Sequence, residues 1–257
     1  MTKKFEELTD SQWGEISEFF DIKRKRKHSL RVVVNALLYM VRTGCQWRNL
    51  PTTYPHWRAV NYYFEKWKRD GTIQKINDAL NQRDRLESGK EGLPSLMCID
   101  SQSVKLHPMI FEDRGIDANK KVNGRKRQLL VDSDGRIWQV LVHAANLHDG
   151  VASCSIFEHV KHISKRIQKI VGDAAYEKTF AEKVAENGYE FECGAKPETT
   201  QGFVPITHRW VVERTIAWTN FFRRIVKDYE YTVKSSETWV LLANISIICN
   251  RLKPNSE

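Results

Sequence analysis

Two short apolar runs in this chain each end on a carboxylate, and no other feature constrains the fold as much. Leu96-Met97-Cys98-Ile99 leads into Asp100-Ser101-Gln102-Ser103-Val104-Lys105, and Lys169-Ile170-Val171-Gly172 leads into Asp173. Runs of this kind read as buried strands that stop at a polar rim. A carboxylate beside such a run is costly to bury unless it binds a cation or finds hydrogen-bond donors. Open α/β sheets build their ligand sites at strand ends.

The surrounding pattern predicts a mixed sheet. Arg127–Val131 and Ile137–Ala144 are β-rich and are joined by Asp132-Ser133-Asp134-Gly135, a hairpin signal. A helix is expected over 150–165, a strand over Ile167–Gly172, a helix over 178–187 and a strand over Tyr189–Gly194, with closing helices near 207–226 and 235–252. The order β-β-β-α-β-α-β-α predicts antiparallel strands followed by alternating α and β units, with helices on both faces. A ribonuclease-H-like fold has this order, as do other α/β folds.

Before residue 88 the periodicity is helical throughout. Helices are expected over 9–20, capped by Thr9 or Asp10, over 30–43 after Ser29 and before Gly44, over 55–69 before Gly71, and over 72–87. Ser88–Pro94 reads as a linker, which divides the chain into a helical part, 1–90, and an α/β part, 91–257. Charge follows the same division. Residues 22–90 hold 16 Lys and Arg against 5 Asp and Glu, within a chain of net charge +9. Phosphate neutralisation by such residues dominates nucleic-acid affinity, so Lys23-Arg24-Lys25-Arg26-Lys27 is a candidate DNA contact. A solvated basic face is the alternative. Short helices in a basic, aromatic-rich segment resemble helix-turn-helix modules; a helical bundle without a DNA role is the other reading.

Several classes are excluded. No run approaches a membrane span, and the first residues lack the apolar core of a signal peptide. The five cysteines are scattered without a C-x-x-C pair, so reduced thiols and a cytoplasmic protein are expected. No glycine-rich phosphate loop is present.

A third acid, Glu213, lies in the helical word Arg209-Trp210-Val211-Val212-Glu213-Arg214. Two or three carboxylates from separate elements suit a hard divalent cation, and Mg²⁺ takes few protein carboxylates and keeps its other positions for water and phosphate. Each acid has a plainer role available: Asp100 as a turn acid, Asp173 as the N-cap of a following helix, Glu213 as the partner of Arg209. Arg209, Glu213, Ala217, Asn220 and Arg224 share one helical stripe. His143, His148, His159 and His162 match no standard zinc spacing, and Asp149 is expected to cap the next helix. Asp132 and Asp134 read as turn residues. Trp138 and Trp210 suit the core better than a stacking platform.

The words Ile99-Asp100-Ser101-Gln102-Ser103-Val104-Lys105, Gly124-Arg125-Lys126-Arg127-Gln128, Ala144-Ala145-Asn146-Leu147-His148-Asp149, Gly172-Asp173-Ala174-Ala175-Tyr176 and Arg209-Trp210-Val211-Val212-Glu213-Arg214-Thr215, with Arg223-Arg224 and Lys227-Asp228-Tyr229-Glu230, resemble bacterial insertion-sequence transposases of the DDE type. The likeness is to their "IS-five" group and covers about residues 5–252. It implies a small all-α helix-turn-helix-like DNA-binding region and a ribonuclease-H-like catalytic part with a mixed five-stranded sheet. It also implies Mg²⁺ as cofactor, with Mn²⁺ as a substitute, and double-stranded DNA as partner, both element ends and target. A homodimer in the end complex and a cytoplasmic, nucleoid-associated location follow from the same likeness. Asp100, Asp173 and Glu213 match the three metal-binding acids, and Arg209 matches an Arg four residues before the third acid. Arg125, Lys126 and Arg127 are read as further DNA contacts. The group often carries a Tyr three residues before that Arg and a Lys seven after the Glu. Here Ile206 and Asn220 stand there, with Arg223 or Arg224 as the replacement cation. A Mg²⁺ nuclease that cuts without joining and a DNA-binding regulator descended from a transposase are the competing functions.

Overall fold

The long first strand of the hairpin organises the sheet. A computed structural model describes residues 5–160, 165–194 and 209–252. In it β1 (Leu96–Lys105) and β3 (Val122–Asp132) pair antiparallel from Met97↔Asp132 to Lys105↔Gly124. On its other edge β3 pairs with β4 (Ile137–Ala144), and β2 (Gly115–Asp117) sits beside its first residues. β1 pairs in parallel with β5 (Lys169–Gly172), which pairs in parallel with β6 (Glu190–Cys193). The main path is therefore β4-β3-β1-β5-β6, a mixed, helix-flanked sheet of antiparallel and then parallel strands as the element order predicts, and β2 makes it six-stranded rather than the five-stranded sheet expected.

Alternation along the strands sends side chains into two cores. Met97, Ile99 and Leu130 pack with α6 (Ile156–Val160), α7 (Thr179–Glu186) and Tyr176. Cys98, Leu129 and Val131 face the opposite side, where α8 (Arg209–Thr219) and α10 (Val233–Cys249) lie.

The N-terminal helices are α1 (Asp10–Ser17), α2 (Leu30–Thr43), α3 (Trp57–Arg69) and α4 (Thr72–Glu87). Thr9 closes a capping box with Gln12, and Gly44, at φ 73°, ends α2 in the left-handed region. These helices share the second core with α10 and β4 rather than enclosing one of their own. A buried asparagine cluster fastens the junction. Asn77 and Asn81 donate to the Ile137 carbonyl at 2.9 and 2.8 Å, and Asn244 donates to their side-chain oxygens at 2.7 and 3.1 Å. The change at the Ser88–Pro94 linker is thus one of architecture, with a core continuous across it.

Three elements differ from the sequence reading. The helix expected over 150–165 is broken into α5 (Asp149–Ala152), a 3₁₀ turn and α6. Ser153 and Ser155 turn their hydroxyls back onto the Asp149 and Ala152 carbonyls, the competition that weakens helices at serine. The helix expected over 207–226 stops at Thr219, because Phe222 adopts extended backbone and buries its ring before α9 (Arg223–Val226) begins. β2 has no strand signal of its own. It forms where Gly115 meets Asn146, whose side-chain oxygen leaves no room for a Cβ. No helix among the described residues is long and apolar enough to cross a membrane.

Candidate active site

Asp100 lies midway along β1 and Asp173 follows the last residue of β5. The parallel register Leu96↔Lys169, Met97↔Ile170, Cys98↔Val171, continued two steps, brings the two acids level on neighbouring strands. Strands of a sheet run about 4.8 Å apart. Both acids are half-buried at the rim of the sheet. Asp100 accepts from the Ser101 amide at 2.7 Å. Asp173 accepts from the Ala175 amide at 2.9 Å and so does cap the 3₁₀ turn Ala174–Tyr176. Capping occupies one carboxylate oxygen and leaves the strand-end position intact. Gly172 is tight, since a Cβ there would lie 3.0 Å from Ile99 and 3.2 Å from Phe191 and Tyr176.

Glu213 stands exposed on α8, which packs on β1 and β3. Asn220, seven residues on and on the same stripe, accepts from Gln102 Nε2 at 2.9 Å. Gln102 shares its face of β1 with Asp100. The helix stripe carrying Glu213 therefore borders the strand face carrying Asp100. Among the described residues no three His, Cys, Asp or Glu side chains are gathered as a metal cage. The sheet brings Asp100 and Asp173 together, and Glu213 stands on the adjacent helix. Carboxylate oxygens are the donor set of a hard cation, and their half-exposure leaves a face open to phosphate.

On the other face of the sheet lies a buried polar network. Tyr176 is 1% exposed and its hydroxyl donates to Gln128 Oε1. Gln128 Nε2 donates to Asp149 Oδ1 at 2.7 Å and lies 3.1 Å from His143 Nε2. Lys126 Nζ donates to Asp149 Oδ2 at 3.2 Å. Burial, then the charges of Asp149, Asp100 and Asp173, push the Tyr176 phenol well above its ordinary pKa. Burial likewise holds His143 below its ordinary value, toward the neutral imidazole. The N-cap of α5 is His148, not Asp149, because Asp149 turns inward to Lys126 and Gln128. His159 and His162 fall outside the side chains described.

The predicted DNA contacts separate sharply. Arg125 is fully buried and Arg127 is 2% exposed. Arg125 donates to the carbonyls of Glu112, Glu230 and Tyr231, Arg127 donates to the Ile225 carbonyl, and both face Asp228. Their reading as phosphate contacts is corrected: they tie β3 to the segment before α10. Lys126 is also enclosed, by Asp149 and Asp117. Arg224 stacks on Trp239 with its guanidinium 4.4 Å from the ring centroid and pairs with Glu230 at 2.8 Å, which leaves it little freedom as a replacement cation. Arg223 is exposed. Lys23, Arg24, Lys25 and Lys27 are exposed on the segment before α2, and Arg26 folds back onto Asp21 at 3.1 Å. Arg209 opens α8, and its side chain lies outside the described residues.

Sequence reasoning missed the roles of Tyr176 and Gln128. The signal was present as a polar residue within a β-rich run and as a Tyr three residues beyond a strand-end acid. Trp138 is core, as expected, whereas Trp210 is 47% exposed and stacks on Arg214 at 4.5 Å.

Comparison with known proteins bears on the same residues. Residues 8–77 match the family described as "Putative transposase of IS4/5 family", and residues 91–248 match the family described as "Transposase DDE domain". The chain is 31% identical over 104 residues to "Uncharacterized protein y4sN" of Sinorhizobium fredii (strain NBRC 101917 / NGR234), which covers 39% of this chain and 77% of that protein. It is also similar to a solved piggyBac transposase synaptic complex with hairpin DNA, at 11% identity and a TM-score of 0.39, over 95% of this chain and 71% of that one.

Proposed function

The chain belongs to the DDE transposase family, and from that premise we propose that it binds the terminal inverted repeats of its own insertion sequence, cuts DNA there and joins the freed 3′ ends to target DNA. The observation that carries this reading is the pair Asp100 and Asp173, level on neighbouring parallel strands, with Glu213 on the helix packed across the same sheet. Asp100, Asp173 and Glu213 would hold Mg²⁺, or Mn²⁺ in its place. When bound, the metal lowers the pKa of an attacking hydroxyl and stabilises the leaving oxygen of a phosphodiester.

The chain's own residues do the rest. Asp100, midway along β1, and Asp173, just past the end of β5, present two negative charges on a rigid frame. The exposed residues Lys23, Arg24, Lys25, Lys27 and Arg223 grip the DNA backbone by charge neutralisation. Arg209, one turn before Glu213 in sequence, is a further candidate cation for the DNA backbone. Attack by water frees a 3′-hydroxyl, and attack by that hydroxyl on target DNA exchanges one phosphodiester for another. Two ends must be held at once, which a homodimer supplies. The protein works on DNA in the cytoplasm, at the nucleoid.

The test uses the intact chain, Asp100→Asn and Glu213→Gln with a duplex carrying the sequence that flanks the gene, in Mg²⁺. Metal-dependent cutting and joining are expected for the intact chain, with both lost and end binding kept in the variants. Cut ends that are never joined would instead indicate a nuclease. Binding without cutting by any of the three would indicate a DNA-binding regulator.

A further inference from the structure

Residues 22–64 hold nine Lys and Arg and no Asp or Glu. Several of these cations are engaged within the protein: Arg26 folds onto Asp21, Arg31 pairs with Asp10, and Arg42 donates to the Phe221 carbonyl at 3.2 Å. Arg48 and Arg58 stand at the surface, and both lie against one ring, Trp57, at 5.9 and 5.5 Å from its centroid. The first four helices differ in what they show to solvent. α2 is buried or half-buried along its whole length. α1 shows the acid Asp10, with Glu18 just past its end. α4 pairs its exposed Arg83 with Glu87 at 2.9 Å. α3 buries Val60, Phe64 and Trp67 on one side and turns Arg58, Tyr62, Glu65 and Arg69 to solvent on the other, with Asn61 half-exposed beside them. Tyr62 is 62% exposed, an aromatic ring that the core does not use. Glu65 is neutralised by Lys68 at 2.6 Å. Phe20 packs on Trp67 with ring centroids 4.7 Å apart, so the exposed run Lys23-Arg24-Lys25 starts beside the last turns of α3.

These residue types are the ones that read base edges. Arg donates to guanine O6 and N7 together, Asn pairs with adenine N6 and N7, and an apolar ring suits the thymine methyl. The major groove admits an α-helix, and cations placed on the flanking phosphates hold that helix in register. From Arg58 to Arg69 the face runs about 16 Å. We propose that α3 is the helix that enters the major groove, and that Arg58, Asn61 and Tyr62 read base pairs of the element end while Lys23, Arg24 and Lys25 hold the neighbouring phosphates. The inference rests on the reading that the chain binds those ends, and it separates the residues that choose the sequence from those that only grip DNA.

The experiment measures binding of the intact chain, at one fixed salt concentration, to the duplex that flanks the gene and to a shuffled duplex of the same length and composition. Asn61→Ala changes no charge, so a loss confined to the flanking duplex has no electrostatic source. Arg58→Ala and Asn61→Ala are each expected to weaken the flanking duplex by about 10-fold and the shuffled one by less than about 3-fold. Lys25→Ala is expected to weaken both duplexes alike. In a panel of flanking duplexes altered one base pair at a time, Asn61→Ala should lose sensitivity at one or two positions where the intact chain has it. All three side chains are at the surface, and melting temperatures unchanged from the parent establish that the variants are folded. Equal losses on the two duplexes for both α3 variants would overturn the proposal, since α3 would then touch phosphates alone. Unchanged binding by both would overturn it too, and an altered oligomeric state in their place would assign the face to a second copy of the chain. An intact chain with no preference for the flanking duplex would overturn the reading of end binding itself, and this proposal with it.

Discussion

Replacing Asp228 with Asn tests whether the two buried arginines of β3 are structural. Asp228 is 1% exposed and carries a single charge between Arg125 and Arg127, whose guanidinium nitrogens lie 3.4 and 3.7 Å from its Oδ2. The same oxygen accepts from Ser236 at 2.7 Å, and Oδ1 accepts from the Glu230 amide at 2.9 Å. Burial pulls the Arg127 guanidinium below its ordinary pKa, and Asp228 is the largest opposing influence. Asparagine keeps the shape and one acceptor but removes the charge, so two guanidiniums remain buried without the carboxylate they contact, and Glu230 acts on Arg127 only from farther off. Breaking a buried pair in this way costs about 3–5 kcal/mol. At about 2–4 °C per kcal/mol for a chain of this size, the melting temperature should fall by roughly 6–20 °C. The assay is thermal unfolding by circular dichroism at neutral pH. Asp10→Asn serves as the comparison, because its bond to Arg31 is at the surface and its loss should leave the melting temperature unchanged. A fall of less than about 3 °C for Asp228→Asn would refute the reasoning, since the arginines would then be reaching water.

Other perturbations follow from the same geometry. Changing Lys23, Arg24, Lys25 and Lys27 to Ala should flatten the dependence of DNA affinity on salt, by about 0.9 in log–log slope for each phosphate that is no longer neutralised, whereas Arg127→Leu should leave that slope alone while lowering stability; filter binding across a salt series reads both. Burial lifts the Asp78 carboxyl from its ordinary 3.8 to about 6 against hydrogen bonds from Gln74 and Asn77. The unfolded chain therefore gives up this proton first, and stability contributed here falls as pH rises from about 4 to about 6. Asp78→Asn should remove that slope, so its melting temperature gains on the parent as pH rises through this window; a constant difference would contradict the shift. Gly124→Ala drives a Cβ into the Val104 carbonyl in the β1–β3 pair and should prevent native pairing there, seen as a fall in amide protection by hydrogen exchange, while Ala at Gly14, which has open space around it, should not.

What the sequence made legible was whatever depends on local pattern. The apolar runs before Asp100 and Asp173 are strands because alternation and β-branching are readable over a few residues, and their parallel register then sets the acids side by side. Gly44 and Gly71 mark helix ends because a glycine's freedom to take positive φ is a local signal too, and Ser29 sits at the start of α2 without a side-chain cap bond. Arg125 and Arg127 misled because charge alone does not reveal a buried partner. Asp228 and the carbonyls of Ile225, Glu230 and Tyr231 lie about a hundred positions away in the chain. The break after Thr219 was hidden for a similar reason: Phe222 leaves the helix to fill a space formed by other elements. Tyr176 looked like one more aromatic core residue, and only the fold reveals that its hydroxyl reaches Gln128.

The core shared by α10 and the first helices has a consequence during synthesis. Helices α2 to α4 leave the ribosome well before Trp239, Leu242 and Ile245 exist to cover them. At about 5–20 residues per second, the intervening roughly 150 residues take on the order of 10–30 s. For that interval the first helices of the nascent polypeptide are an apolar surface awaiting its lid. A message cut short before Val233 therefore encodes a chain whose first helices have β4 but not α10 to close on.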